Sequence, residues 1–336
     1  MRAVLNTAGE RVDVTCAVPW IADVLTEGAA GQLAVHDGLT AGHDGLTAGV
    51  RVSVERGSAA FDVTGWRVLT RGAWCRPGQV VLRDACSSGL DLQVTADESA
   101  LDVVARWRPS GKGRVAAALL RSRARLLLRA VLLQYPALWR SQQRGRAPLH
   151  ASVCGLGGAD DRTVLLAGPG GVGKSTLVHG ELLAGASSTC DNLCVSDGQD
   201  AWGVLEPLRL PVEVHQGHGR RMPHGRREVT WPRRTDGMRP GLLVVVSRGG
   251  PAVTTCDPEF ASRYLVAGTY MAGELRRYWS FAATLALGTG VGVSHPPVEE
   301  VAGRLSRSLP CLQVALGDHP GAPLRELLGT AAEVAA

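Results

Sequence analysis

Residues 163–177 read Thr-Val-Leu-Leu-Ala-Gly-Pro-Gly-Gly-Val-Gly-Lys-Ser-Thr-Leu, and no other stretch restricts the fold of this chain so tightly. Val164, Leu165, Leu166 and Ala167 form an unbroken run of small or apolar residues, the pattern of a buried strand. The next eight residues (Gly168, Pro169, Gly170, Gly171, Val172, Gly173, Lys174, Ser175) match the Walker A pattern G-x-x-x-x-G-K-[ST] throughout, and Thr176 follows in the first helical turn. Backbone N–H groups converge on an anion only where no Cβ intervenes and unusual dihedrals are free, which accounts for the four glycines. Lys174 is expected to reach the β- and γ-phosphates of a nucleoside triphosphate. Ser175 is expected to offer its hydroxyl to Mg²⁺ at the helix N-terminus. The chain has 34 arginines and only two lysines, Lys112 and Lys174. A lysine here is therefore demanded by the cradle, which takes a compact ammonium but not a planar guanidinium.

A strand that feeds a phosphate loop and a helix implies an α/β fold, and 336 residues give room for about two domains. Residues 1–110 alternate apolar and polar residues in short runs between Gly, Pro, Ser and Asp turns, predicting a smaller β-rich N-terminal domain. Within it, residues 36–42 (His-Asp-Gly-Leu-Thr-Ala-Gly) repeat at once as residues 43–49, a loop duplication too short to be a solenoid unit. Residues 111–146 predict a helical connector, with a helix over about 114–134 that is interrupted at the Tyr135-Pro136 step and resumes through Trp139, its apolar residues packing on a neighbouring layer. Residues 147–336 predict the α/β catalytic domain with a helical C-terminal part. There a hairpin delivers the phosphate loop, and the helix beyond it ends near residue 183. Short strands then flank Asp191-Asn192, so that Asp191 returns beside the loop. Residues 241–247 predict a fully buried strand. Helices follow over 257–265 and 272–287, the second bearing Glu274, Arg277 and Tyr278 on one face, with Arg276 beside it, as a candidate acceptor-binding group.

Charge and cysteine usage narrow the function. Between residues 215 and 239 stand seven arginines against Glu228 and Asp236, which equals the +5 net charge of the whole chain. Such a segment suits nucleotide phosphate or an acidic peptide. Nucleic acid is not expected, because Trp231 is the sole aromatic interleaved as a stacking platform. Eight cysteines without framework spacing predict reduced thiols and a cytoplasmic setting, and the Cys190/Cys194 pair lacks the second pair of a zinc site. The apolar run 115–133 carries Arg121, Arg123, Arg125 and Arg129, too much charge for a bilayer span, so no membrane partner is expected.

The order His150-Ala151-Ser152, hairpin, phosphate loop, helix, Asp191-Asn192 and second hairpin resembles the HPr kinase/phosphorylase catalytic domain and its wider set of HPr-kinase-like proteins. These share a P-loop fold with phosphoenolpyruvate carboxykinases. The resemblance covers about residues 147–250. It implies that Asp191, at the first position of the family's Asp-Asp pair, is the general base for a serine hydroxyl, and that His150 lies near the site. It also implies ATP and Mg²⁺ as cofactors, a protein or peptide acceptor bearing a serine, and a homo-oligomer. Asn192 replaces the second Asp, and the family's Gly-Ile-Gly-Ile-Ile-Asp type segment is missing, which sets this chain beside the shorter HPr-kinase-like proteins.

The resulting expectation is an ATP/Mg-dependent kinase acting on a hydroxyl. Lys174 stabilises the γ-phosphate, Ser175, Asp191, Asn192 and Glu206 surround the metal, and Arg226 or Arg227 neutralises transition-state charge. Two alternatives share these residues, a small-molecule hydroxyl kinase and a nucleotide-gated regulatory ATPase. The chain contains neither an Asn-Lys-x-Asp guanine motif nor a Leu-Ser-Gly-Gly-Gln transporter signature, which sets GTPase and transporter readings aside.

Overall fold

The structure, a computed structural model, describes residues 1–35, 49–158, 161–212, 219–222, 225–250, 252–317 and 323–334. The tandem repeat, apart from Gly49, lies outside the described residues. The chain is mixed α/β, with several sheets. It divides into two compact units, one of residues 1–144 with 277–295, the other of residues 145–276 with 296–336.

The first unit opens with β1 (Arg2–Thr7), β2 (Glu10–Cys16), α1 (Pro19–Gly28), β3 (Ala34–Val35) and β4 (Val50–Glu55). A meander follows, β5 (Arg67–Thr70), β6 (Ala73–Arg76), β7 (Gln79–Leu82), β8 (Leu90–Ala96) and β9 (Leu101–Trp107). These make one nine-stranded sheet in the order β3-β1-β2-β4-β9-β8-β7-β6-β5. Alternation fixes its register: Val12, Val50 and Leu101 stand opposite one another across β2, β4 and β9, all buried. On the polar side Arg51 pairs with Asp102, and Arg106 with Glu55.

Where the sequence predicts one helix over 114–134, the structure has α2 (Gly111–Leu119), a break at Leu120, α3 (Arg121–Arg129), a π-helical turn over residues 130–134 and α4 (Tyr135–Gln143). The break is a backbone event, since Leu120 has φ −109° and ψ 51°. Burial is confined to the C-terminal half, and Trp139 is wholly enclosed. A polar-by-apolar count cannot see this, because α2, which buries no side chain, has five apolar residues in nine (Val115, Ala116, Ala117, Ala118, Leu119) against four in the buried α4 (Tyr135, Ala137, Leu138, Trp139).

The second unit begins with β10 (Ala147–Leu149), β11 (Ala151–Gly155), β12 (Thr163–Ala167) and α5 (Lys174–Leu183). It continues through β13 (Ser188–Cys190), β14 (Cys194–Ser196), β15 (Ala201–Gly203), β16 (Leu208–Pro211), β17 (Arg220–Met222), β18 (Arg226–Val229), β19 (Gly237–Met238), β20 (Leu242–Arg248) and β21 (Ala252–Thr255). Helix α6 (Pro258–Met271) is capped by Asp257, whose carboxylate accepts from the N–H groups of Glu259 and Phe260. Helix α7 (Arg276–Thr289) returns to the first unit, and α8 (Val298–Ser308), β22 (Cys311–Leu316) and α9 (Leu324–Val334) close the second.

The core sheet of this unit runs β13-β11-β12-β20-β22-β21. Strands β12, β20 and β22 are parallel neighbours, and all five residues of β20 from Leu242 to Val246 are buried, as a strand covered on both faces requires. A four-stranded sheet, β10-β14-β15-β19, and a three-stranded one, β16-β18-β17, stand beside it. Gly203 in β15 permits the closest backbone approach, since a Cβ there would lie 2.0 Å from the Thr189 carbonyl oxygen. Gly203→Ala is therefore expected to destabilise the unit by about 2 kcal/mol or more, lowering Tm by roughly 4–8 °C in a thermal melt.

Candidate active site

Two strands change sheet at the same place. The chain leaves the four-stranded sheet at Leu149 and enters the core sheet at Ala151, with His150 at the switch. Opposite, it leaves the core sheet at Cys190 and enters the four-stranded sheet at Cys194, so that Asp191, Asn192 and Leu193 occupy the facing gap. Ser152 Oγ closes this seam by donating to the Asp191 carbonyl oxygen at 2.5 Å. The His150 N–H donates to Thr269 Oγ1 of α6 at 3.0 Å, and Thr269 in turn donates to the Leu265 carbonyl. A residue that sits between two ladders keeps its side chain free of both faces, and here His150 and Asp191 are aimed into one cavity.

The phosphate loop borders that cavity. Gly171 and Gly173 have φ of +81° and +122°, values an L side chain rarely adopts, and a Cβ at Gly170 or Gly171 would project into open space. The N–H groups of Gly170, Gly171 and Gly173 have no backbone acceptor among the described residues, so the cradle presents donors to an anion. Lys174 opens α5 and folds back over the loop, Nζ donating to the carbonyls of Gly168 at 2.7 Å and Pro169 at 3.2 Å. Burial pushes its ammonium down to about 8, partly offset by Asp191 and Glu274.

Behind the loop lies a polar chain. His150 Nε2 meets Asn192 Oδ1 at 3.1 Å, Asn192 Nδ2 donates to Glu206 Oε1 at 3.1 Å, and Arg209 Nη2 donates to Glu206 Oε2 at 2.7 Å. Arg209 Nη1 lies 3.6 Å from Glu274 Oε1. With the Asn192 amide donor directed at Glu206, its oxygen faces His150, an arrangement that suits a proton on Nε2. Burial, then the charge of Lys174, depresses the His150 pKa and keeps the ring neutral, leaving a lone pair on Nδ1. That atom is buried beside the backbone of α6, 3.9 Å from where a Cβ on Gly268 would stand. Burial raises Glu206 to about 7 against the opposing pull of Arg209. Asp191, only 2% exposed, is also pushed up by burial, and its Oδ1 has no hydrogen-bond partner.

The cavity encloses about 640 Å³. The phosphate loop, His150, Asp191, Asn192, Arg209 and Arg226 form one side. The other side is α6 and the turn after it, including Tyr264, Gly268, Met271 and Glu274. Of the residues expected from sequence, the structure brings together the loop, Lys174, Ser175, Thr176, His150, Asp191, Asn192 and Arg226. Glu206 is buried directly behind Asn192. Arg227 does not line the cavity and reaches the Gly219 carbonyl instead. The expected group of Glu274, Arg277 and Tyr278 is not formed: α7 starts at Arg276, leaving Glu274 in the preceding turn, and Tyr278 is buried in the first unit with its hydroxyl on Gln142. Arg209 carries no motif of its own in the sequence, and its place three residues after Glu206 is the one local signal for it.

The donor set fits a metal held jointly with phosphate. Mg²⁺ takes one or two carboxylates and leaves its remaining positions to phosphate and water. Asp191, buried and lining the same cavity as Ser175, offers one such carboxylate. Among the described residues no group of three His, Cys, Asp or Glu side chains is placed to hold a metal without such help.

The molecule is thus a mixed α/β protein whose glycine-rich phosphate loop faces a buried carboxylate across a cavity. No family model matches the chain, and no curated protein matches it. Among solved structures it is similar to the Hpr(Ser) kinase/phosphatase from Coxiella burnetii, at 16% identity over 33% of this chain and 77% of that one, with a TM-score of 0.22. No helix among the described residues is long and apolar enough to cross a membrane, and all eight cysteines are free thiols.

Proposed function

We propose that the second unit is an ATP- and Mg²⁺-dependent kinase that transfers the γ-phosphoryl group to a hydroxyl, with a serine of a protein or peptide as the acceptor. The observation that carries this reading is Asp191 Oδ1, a buried, unpartnered acceptor beside Ser175 of the phosphate loop. A transferase needs such a carboxylate, within reach of the attacking hydroxyl, in addition to the nucleotide cradle. The loop amides and Lys174 would hold the phosphates, and Ser175 with the other carboxylate oxygen of Asp191 would hold the metal, which would supply neutralisation of phosphate charge. The acceptor oxygen attacks the γ-phosphorus, its proton passes to Asp191 Oδ1, and the bond to the β,γ-bridging oxygen breaks to release ADP. Burial assists Asp191 by raising its basicity. Arg226, which is exposed at the cavity rim on β18, neutralises charge developing on the transferred group.

Incubation with ATP, Mg²⁺ and serine-containing peptides is expected to add one phosphate to the peptide, read by mass spectrometry. Nucleotide hydrolysis without any phosphorylated peptide or polyol would instead mark a regulatory ATPase. The pH profile is a second check. Below about 7 Glu206 takes up a proton and loosens its grip on Arg209 and Asn192. Above about 8 the free enzyme's Lys174 loses the charge that binds phosphate. Hence kcat/KM for ATP is expected to peak between about pH 7 and 8 and fall on both sides.

A further inference from the structure

Helix α2 buries no side chain. Ser110 caps it, its Oγ accepting from the Gly113 N–H at 3.1 Å, but nine residues with glycines at 111 and 113 are too few to hold a helix on propensity alone. Helices of this length are ordinarily ordered by burying a face. The face available here is Lys112, Val115, Ala116 and Leu119 at i, i+3, i+4 and i+7 spacing, extended by Leu120. Val115 is 60% exposed, Leu119 77% and Leu120 52%. Together they line an open, mainly apolar depression of about 590 Å³.

The charge around this face has one sign. No Asp or Glu occurs anywhere from residue 103 to residue 159. Arg125 and Arg129 of α3 are tied to Glu27, but Lys112, Arg114, Arg121 and Arg123 have no acidic partner among the described residues. Three exposed aliphatic side chains thus share residues 112–123 with four cations that have no acidic partner among the described residues.

We propose that α2 and the first turn of α3 form an attachment surface for an anionic lipid bilayer, with the aliphatic face at headgroup depth and the four cations on lipid phosphates. Charge complementarity selects this occupant. A protein partner is recognised through aromatic anchors and charges of both signs that set register, and this face has neither. A second copy would oppose four cations with four more. A lipid surface asks only for apolar area and a sign of charge. The sequence-based expectation of no membrane partner rested on excluding a span, and the arginines that exclude a span are the groups that suit a surface. The proposal does not depend on the kinase reading.

The test is co-sedimentation of the full chain with vesicles of roughly two parts phosphatidylcholine to one of phosphatidylserine, against vesicles of phosphatidylcholine alone. Binding is expected only to the anionic vesicles and is expected to weaken with salt. Each of Lys112→Gln, Arg114→Gln, Arg121→Gln and Arg123→Gln should weaken it about fivefold, from about 1 kcal/mol per cation near the surface. Leu119→Ser should weaken it about tenfold. Because these side chains lie outside the core, the variants should melt with the wild type, which separates lost binding from lost folding. The proposal is overturned by absence of binding to the anionic vesicles, or by variants that bind as well as wild type. A dimer that Leu119→Ser dissociates, or binding to polyglutamate without binding to vesicles, also overturns it.

Discussion

Asp191→Asn is expected to lower the phosphoryl-transfer rate by about 10²–10⁴-fold, the usual contribution of a positioned general base, while nucleotide affinity stays within a few-fold of wild type. The substitution keeps the shape of a buried side chain, so the loss should appear in kcat and leave the fold intact. Lys174→Ala is expected to act at the other step, raising the Kd for ATP in a calorimetric titration as well as lowering kcat, because Nζ is the compact charge inside the cradle. Unchanged transfer rates in both variants would rule out the assigned mechanism. A rate lost only in Lys174→Ala would leave nucleotide binding standing and remove Asp191 as base.

Arg209→Leu should be the most damaging substitution for stability. Arg209 is held between Glu206 and Glu274, with Asp191 close enough to raise its pKa further. Removing the guanidinium strands a buried Glu206 carboxylate, for which about 3–5 kcal/mol is the usual cost, or a fall in Tm of roughly 10 °C for a unit of this size. The double variant Glu206→Leu/Arg209→Leu removes both charges together and is expected to recover much of that loss in the same melt. If the double variant were no more stable than Arg209→Leu, the ion pair would not be what Arg209 supplies.

The parts of this site legible in the sequence are the local ones. The loop, the hairpin that carries it and Asp191 are set by runs of a few residues, where glycine dihedrals and apolar continuity leave little choice. Arg209, Thr269 and Gly268 are not local. Thr269 acts on His150 across 119 positions of sequence, through a single hydrogen bond from a backbone N–H. No periodicity encodes such a meeting, because it depends on how α6 lies against the seam rather than on either segment alone. The two helix misreadings have a similar origin. Composition proposes a helix across residues 114–134 and another across 272–287. The first breaks at Leu120, whose backbone leaves the helical region, and the second begins only at Arg276, and composition registers neither event.

The return of α7 to the first unit bears on how the chain comes to be folded during synthesis. Tyr278 closes on Gln142, and Gly288 lies so near β7 that a Cβ there would come within 2.3 Å of Val80. The first unit therefore cannot be completed until residues 277–295 have left the ribosome, by which time residues 145–276 of the second unit have already emerged. N-terminal units usually finish first in vectorial folding. Here the first must wait with an open sheet face while most of its successor is made, so a fragment ending at residue 144 would expose apolar surface that α7 covers in the whole chain.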